Sequence, residues 1–327
     1  MASLIINPIT SAASTLEKRF PNTIPYIWGA LSAIILTTSN LFVKKLSQDM
    51  GSAEILIFRS LQIAVYTYTL MSSHGMQFHY PSPVINRLLI ARALAGTGGV
   101  GLAYYGISMM PLSDASVINQ VYPVFTGILA TLVLGENYEK SQLLSALICL
   151  VGVVFIVQPP VIFGSSVSAE ASENGSKLFG AVILLLGGMM ASVVEVLVKK
   201  VGSKTNSGVT TFVFGLIATM IATVVSLFQG FVAIKLHHIS WFFWLGSLSF
   251  VAQVLRNRAF VIGNAGRVSN MAYFGLVAGY VLDIFVLGNS VNFLSLMGGL
   301  CILSCMFIYM YRLHHQQQHG SAKTLPK

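Results

Sequence analysis

The sequence predicts an all-α integral membrane protein, with ten transmembrane helices arranged as two inverted five-helix repeats. Three observations carry that prediction: the composition, the length of the apolar runs and a weak internal repeat. Hydrophobic residues make up 55% of the 327 residues and charged residues only 9%. A soluble domain carries about 25% charged residues, so this chain cannot dress a water-facing surface. Lipid admits only helices and closed barrels, because every backbone polar group must be bonded internally. A barrel would show alternating segments of about ten residues. This chain instead shows apolar runs long enough to cross about 30 Å of hydrocarbon.

The runs lie at 26–43, 53–73, 88–109, 114–134, 142–158, 178–198, 208–230, 240–262, 268–288 and 291–311. They divide the chain into a cytosolic N-terminal segment (1–25), a first repeat (26–158) and a Pro/Ser/Gly/Glu-rich linker (159–177). A second repeat (178–311) and a disordered cytosolic tail (312–327) follow. The first 20 residues lack the pattern of a cleavable signal, so span one is expected to remain as an anchor. Span three contains Gly96, Gly98 and Gly101 in the spacing of a dinucleotide-binding loop. No strand precedes them and the apolar run continues past them, so that reading fails its context. Ala91, Ala95, Gly99 and Ala103 recur every four residues and form a ridge of small side chains, as packed membrane helices use.

The repeat shows in short matches that keep their order. Val43-Lys44-Lys45 closes span one and Val198-Lys199-Lys200 closes span six. Val133-Leu134-Gly135 aligns with Val286-Leu287-Gly288 at a shift of 153 residues. Five spans per repeat turn the second half upside down, a building plan in which substrate binds near the midplane between the halves. With a cytosolic N-terminus, eleven Lys and Arg fall in inside segments, against Lys44, Lys45, Lys177 and Lys235 outside. That bias places both termini in the cytosol and leaves the endomembrane system and the plasma membrane equally open. The formal charge of +9 thus reflects topology and contact with membrane lipid rather than nucleic acid. Cys149, Cys301 and Cys305 all lie within apolar spans, where buried thiols are expected; neither a metal site nor a cofactor is predicted.

The stretch MPLSDASVINQVYPVFTGILATLVLGE (110–136), followed by GVVFIVQPPVIFG (152–164), resembles the EamA-type proteins of the drug/metabolite transporter superfamily. Among these it is most similar to the G-type members of solute carrier family 35. The resemblance implies a ten-helix carrier of small organic metabolites and does not supply a substrate. The family's Gly-Glu at the end of span four is present as Gly135-Glu136, but the second repeat has Gly288-Asn289. A structural part at a helix end is therefore expected for that motif.

Ionisable groups inside a span cost about 2.5 to 3.5 kcal/mol on insertion scales and face a cavity or a partner. Gln253, Arg256 and Asn257 share one face of span eight and are expected to form a cavity wall. Asn119 and Tyr122 in span four and Tyr273 and Tyr280 in span nine form comparable stripes. With Arg59 of span two, these residues are the candidate substrate site. Glu195, Asp283 and Lys44 are candidate gating or ion-pair residues: Glu195 stands four before Lys199, and Asp283 is placed at the depth of Arg59 and Lys44. Arg92, near a cytosolic helix end, is expected to snorkel, and Tyr104 and Tyr105 are read either as cavity groups or as interfacial anchors.

The expected function is alternating-access transport of a small organic metabolite, an anion on the strength of the arginines. The alternative is a membrane scaffold or regulator that moves nothing. No metalloprotease, nucleophile-elbow or paired-acid pattern appears, so an enzyme is not predicted. The expected partners are that metabolite and lipid, with a homodimer as one assembly the reading admits.

Overall fold

The computed structural model describes residues 23–73, 75, 82–119, 121–135, 168–202, 205–232 and 234–288, single positions between 144 and 155, and most of 293–304. Most of span five, much of span ten, the tail, Gln120, Glu136, Cys149 and Cys305 lie outside the described residues. All regular structure among the described residues is helical. In chain order the helices are α1 (Ile24–Leu46), α2 (Ser52–Ser73), α3 (Pro83–Met109), α4 (Leu112–Asn119) and α5 (Tyr122–Leu134). Then come α6 (Ser168–Val201), α7 (Ser207–Gln229), α8 (Leu236–Ile262), α9 (Ala265–Ser269), a single 3₁₀ turn (Asn270–Ala272) and α10 (Tyr273–Phe285). Counting α4 with α5 and α9 with α10, eight helical stretches are long and apolar enough to cross a membrane. α6 reaches back to Ser168, inside the segment read as linker.

The helix ends follow local chemistry. Pro25 and Pro83 sit in the first turns of α1 and α3, where an N–H has no helical partner to lose. Asn206 and Asn264 cap α7 and α9 by accepting the N–H of Gly208 at 2.9 Å and of Arg267 at 3.0 Å. α5 ends at Gly135 with φ 70°, and the residue at the matching place after α10, Gly288, has φ 69°. A side chain would be strained at either, which explains the glycine of both repeat motifs.

The most extensive packing pairs α3 with α6, α1 with α8 and α2 with α7. α5 also lies on α6, and α10 on α1. Exchanging segment 24–135 with segment 168–288 maps this set of pairs onto itself. The α3–α6 approach is backbone to backbone: a Cβ added at Gly99 would sit 3.2 Å from the Gly187 carbonyl oxygen, and one at Gly187 would sit 3.1 Å from that of Gly99. The small-residue ridge thus acts through its central glycine, while Ala91 is exposed. The outer surface is apolar, with Phe228 88% and Leu132 75% exposed, as a lipid-facing surface requires.

The two repeated lysines share a structural part. Lys44 Nζ donates to the carbonyls of Ile107 (3.1 Å) and Met110 (2.7 Å) at the end of α3. Lys199 Nζ donates to the carbonyl of Gly263 at the end of α8. A cation there satisfies carbonyls that no helical N–H reaches.

Candidate functional site

A cavity of about 100 Å³ lies between the helices, several times the ~10–15 Å³ that one water needs. α1 contributes Leu36 and Asn40, α2 Arg59, and α3 Arg92, Gly96 and Tyr104. α4 contributes Asn119, α6 Glu195, α7 Phe214, and α8 Gln253, Arg256 and Asn257. A smaller pocket continues from it toward the N-terminal half of α1, lined by Gly29, Ser32 and Ala33 with Tyr122, Val268 and Ala272.

Three guanidinium groups and one carboxylate face this cavity. Arg256 Nη2 pairs with Glu195 Oε1, and Thr126 Oγ1 donates to Glu195 Oε2 at 2.9 Å. Arg256 also stacks over the Tyr122 ring at 5.3 Å. Arg59 Nε donates to Ser249 Oγ at 2.8 Å, and Ser249 is joined to Ser39 at 2.7 Å. Arg59 Nη1 has no hydrogen-bond partner. Arg92 is 1% exposed and lies 4.8 Å over the Phe214 ring, with Nε and Nη1 both unmatched. Among the described residues, three positive charges against one negative leave two without a carboxylate on the cavity wall. Asn257 Nδ2 donates to Thr211 Oγ1 at 2.9 Å, and Gln253 Nε2 to Asn257 Oδ1 at 3.3 Å, so these amides are held in place.

Of the residues singled out from the sequence, the structure brings Arg59, Asn119, Glu195, Gln253, Arg256 and Asn257 to one cavity and Tyr122 to its extension. Tyr273 and Tyr280 line neither: Tyr273 is buried among core side chains and Tyr280 packs beside the same cluster. Val268 of α9 and Ala272 of the 3₁₀ turn line the extension instead. Glu195 pairs with Arg256 rather than Lys199. The buried Asp283 lies within electrostatic reach of Lys44, whose ammonium bonds to carbonyls of α3, while Arg59 turns to Ser249. Arg92 does not snorkel, because its face of α3 meets α7 at Phe214 instead of the helix end meeting water. Tyr104 lines the cavity while its neighbour Tyr105 is exposed.

At the far end of α1, the α1–α2 and α7–α8 connections are tied together. Asp49, in the α1–α2 connection, accepts from Lys235 Nζ at 3.1 Å and from His238 Nε2 at 2.9 Å. Glu54 Oε1 accepts the N–H of Val232 at 2.7 Å, and Glu54 Oε2 that of Gly51 at 3.3 Å. The His238 hydrogen bond, with Lys235 beside it, holds the Asp49 carboxyl down at about 2.

A helical bundle of long apolar spans gathered around a polar cavity fits a multi-pass membrane transporter. Residues 23–158 match the EamA-like transporter family. The chain is similar to solute carrier family 35 member G1 of Homo sapiens, 26% identical over 279 residues, covering 84% of this chain and 75% of that protein. It is also similar to the pseudopaline exporter CntI of Pseudomonas aeruginosa, 25% identical over 76% of this chain and 82% of the exporter. The S-adenosylmethionine uptake transporter of Rickettsia bellii is 22% identical over 87% of this chain and 92% of its own. One solved crystal structure superposes with a TM-score of 0.68 at 12% identity, covering 89% of this chain and 98% of that one, a likeness of fold alone.

Proposed function

We propose that the protein carries a small organic anion across its membrane by alternating access between two inverted five-helix repeats. The observation that carries this reading is the pair of buried arginines, Arg59 and Arg92, whose unmatched N–H groups lie at the cavity wall. Guanidinium groups bind carboxylate and phosphate in a planar fork, and a buried one without a partner is costly unless a ligand supplies it. Arg256 is already matched by Glu195, so it positions the wall while Arg59 and Arg92 take the anion. The exchange of packing pairs between the halves supports the inverted plan. In the proposed orientation both termini are cytosolic, the cavity extends toward the cytosol, and Asp49 and Lys235 close the opposite face. Two of the relatives are named for the export of pseudopaline and the uptake of S-adenosylmethionine, which agrees with a solute of that size.

Uptake into liposomes holding the purified protein tests this, with a panel of dicarboxylates, phosphate monoesters, nucleotide-sugars and neutral amines. Saturable anion uptake, lost in Arg92→Gln and retained for none of the amines, is the expected result. Equal anion uptake by wild type and Arg92→Gln overturns the anion assignment. No uptake by folded protein favours a membrane scaffold.

A further inference from the structure

Asp49, His237 and His238 have a geometry that the transport reading does not use. One metal-binding atom from each lies within 4.8 Å of the other two. Asp49 Oδ2 is 2.9 Å from His238 Nε2 and 3.6 Å from His237 Nε2, so both imidazoles converge on the same oxygen. Ligands bound at about 2.0 to 2.2 Å around a tetrahedral Zn²⁺ stand about 3.3 Å apart. The two distances bracket that edge. Asp49 Oδ1 remains with Lys235, an arrangement in which one carboxylate oxygen binds and the other is oriented from outside. The rings are held by aromatic neighbours: His237 meets Trp241 edge-on at 5.0 Å and His238 meets Phe242 at 6.4 Å.

We infer that Asp49, His237 and His238 form a three-ligand site for a transition-metal dication of the Zn²⁺ class, with the fourth position open to water beside the half-exposed His237. Two features oppose it and set its strength below that of a closed four-ligand site. Lys235 and the positive end of α8 repel a cation. His238 Nδ1 accepts the Lys235 N–H at 3.3 Å, and ligation through Nε2 moves the ring proton to Nδ1 and gives up that long bond. Against these, the carboxylate and two imidazoles already converge, so little ordering remains to be done on binding. The ligands come from the α1–α2 connection and from the start of α8, one in each half of the molecule. A bound metal therefore staples the closed end. Metal binding itself is independent of the transport reading, whereas inhibition of transport by the metal rests on it.

The test uses full-length protein stripped with a chelator, loaded with Zn²⁺, desalted and assayed for metal per chain. The parent carries His314→Ala, His315→Ala and His319→Ala, so that the tail contributes nothing. The expected result is one Zn²⁺ per chain in this parent, lost in His237→Ala and in Asp49→Asn, with Zn²⁺ raising the melting temperature of the parent alone. His237 is half exposed, so His237→Ala is expected to melt as the parent does without metal. No retained Zn²⁺ in the parent, or equal retention by parent and His237→Ala, overturns the site. Zn²⁺ binding with no uptake of any solute retains the metal site and removes the transport reading.

Discussion

Lys44 near the end of α1 and Lys199 near the end of α6 each reach the last carbonyls of a neighbouring helix. Gly135 and Gly288 each stop a span with a left-handed residue. Four positions before each lysine the two segments part. Asn40 and Glu195 both face the cavity, but only Glu195 carries charge and holds an arginine. Helix ends set the same backbone requirement in both halves, so the same residues meet it twice. A single cavity between the halves needs each polar group once, so its residues are free to differ. On the proposed two-repeat plan, the result is a scaffold with a repeat and a site without one.

Making the two α6 and α1 positions alike should break the molecule most. Glu195→Gln leaves Arg256 inside the bundle without its carboxylate and is expected to cost about 3 to 5 kcal/mol in thermal unfolding in detergent. Adding Arg256→Gln to it should recover most of that loss, and failure to recover would show that the pair is not the coupled unit. Arg92→Gln acts in the opposite sense on stability. Anion uptake should fall about 10- to 100-fold, the worth of charged hydrogen bonds of about 1.5 to 3 kcal/mol, while the melting temperature holds or rises. Next come the repeated lysines. Lys44→Met and Lys199→Met should each cost about 1 to 2 kcal/mol and add when combined, with Lys44 the larger because buried Asp283 also loses the positive charge near it. A neutral Lys199→Met would end the equivalence of the two. The smallest effects belong to Gly135→Ala and Gly288→Ala, at about 1 kcal/mol each by the strain of a left-handed alanine. Unequal values would mean that the two turns differ in tension.

Eight of the ten spans were legible in the sequence, because apolar length answers directly to hydrocarbon thickness. The wall of α8 was legible because Gln253, Arg256 and Asn257 lie within one turn and must share a face. What partners them was not, since Glu195 stands 61 residues from Arg256 and periodicity carries no information across helices. Arg92 misled for a related reason: a lone arginine near a helix end reads as reaching for water, and only Phe214 of α7 reveals where it points. Tyr273 and Tyr280 share a helix face, as the spacing implies, but that face packs into the core, and spacing within one helix does not say which neighbour a face meets. Asp49 and the two histidines gave no local signal at all, being 189 residues apart between Asp49 and His238.

The surplus of guanidinium groups on the cavity wall has an electrical meaning. Charge fixed to a moving element feels the membrane voltage, at about 2.3 kcal/mol per elementary charge per 100 mV. Under the proposed anion transport by alternating access, with two positive charges unbalanced among the described cavity residues, the empty protein is the voltage-sensitive form, and a solute bearing two negative charges silences it. The current recorded as solute concentration is raised would therefore count the charges on the solute, before its chemical identity is known.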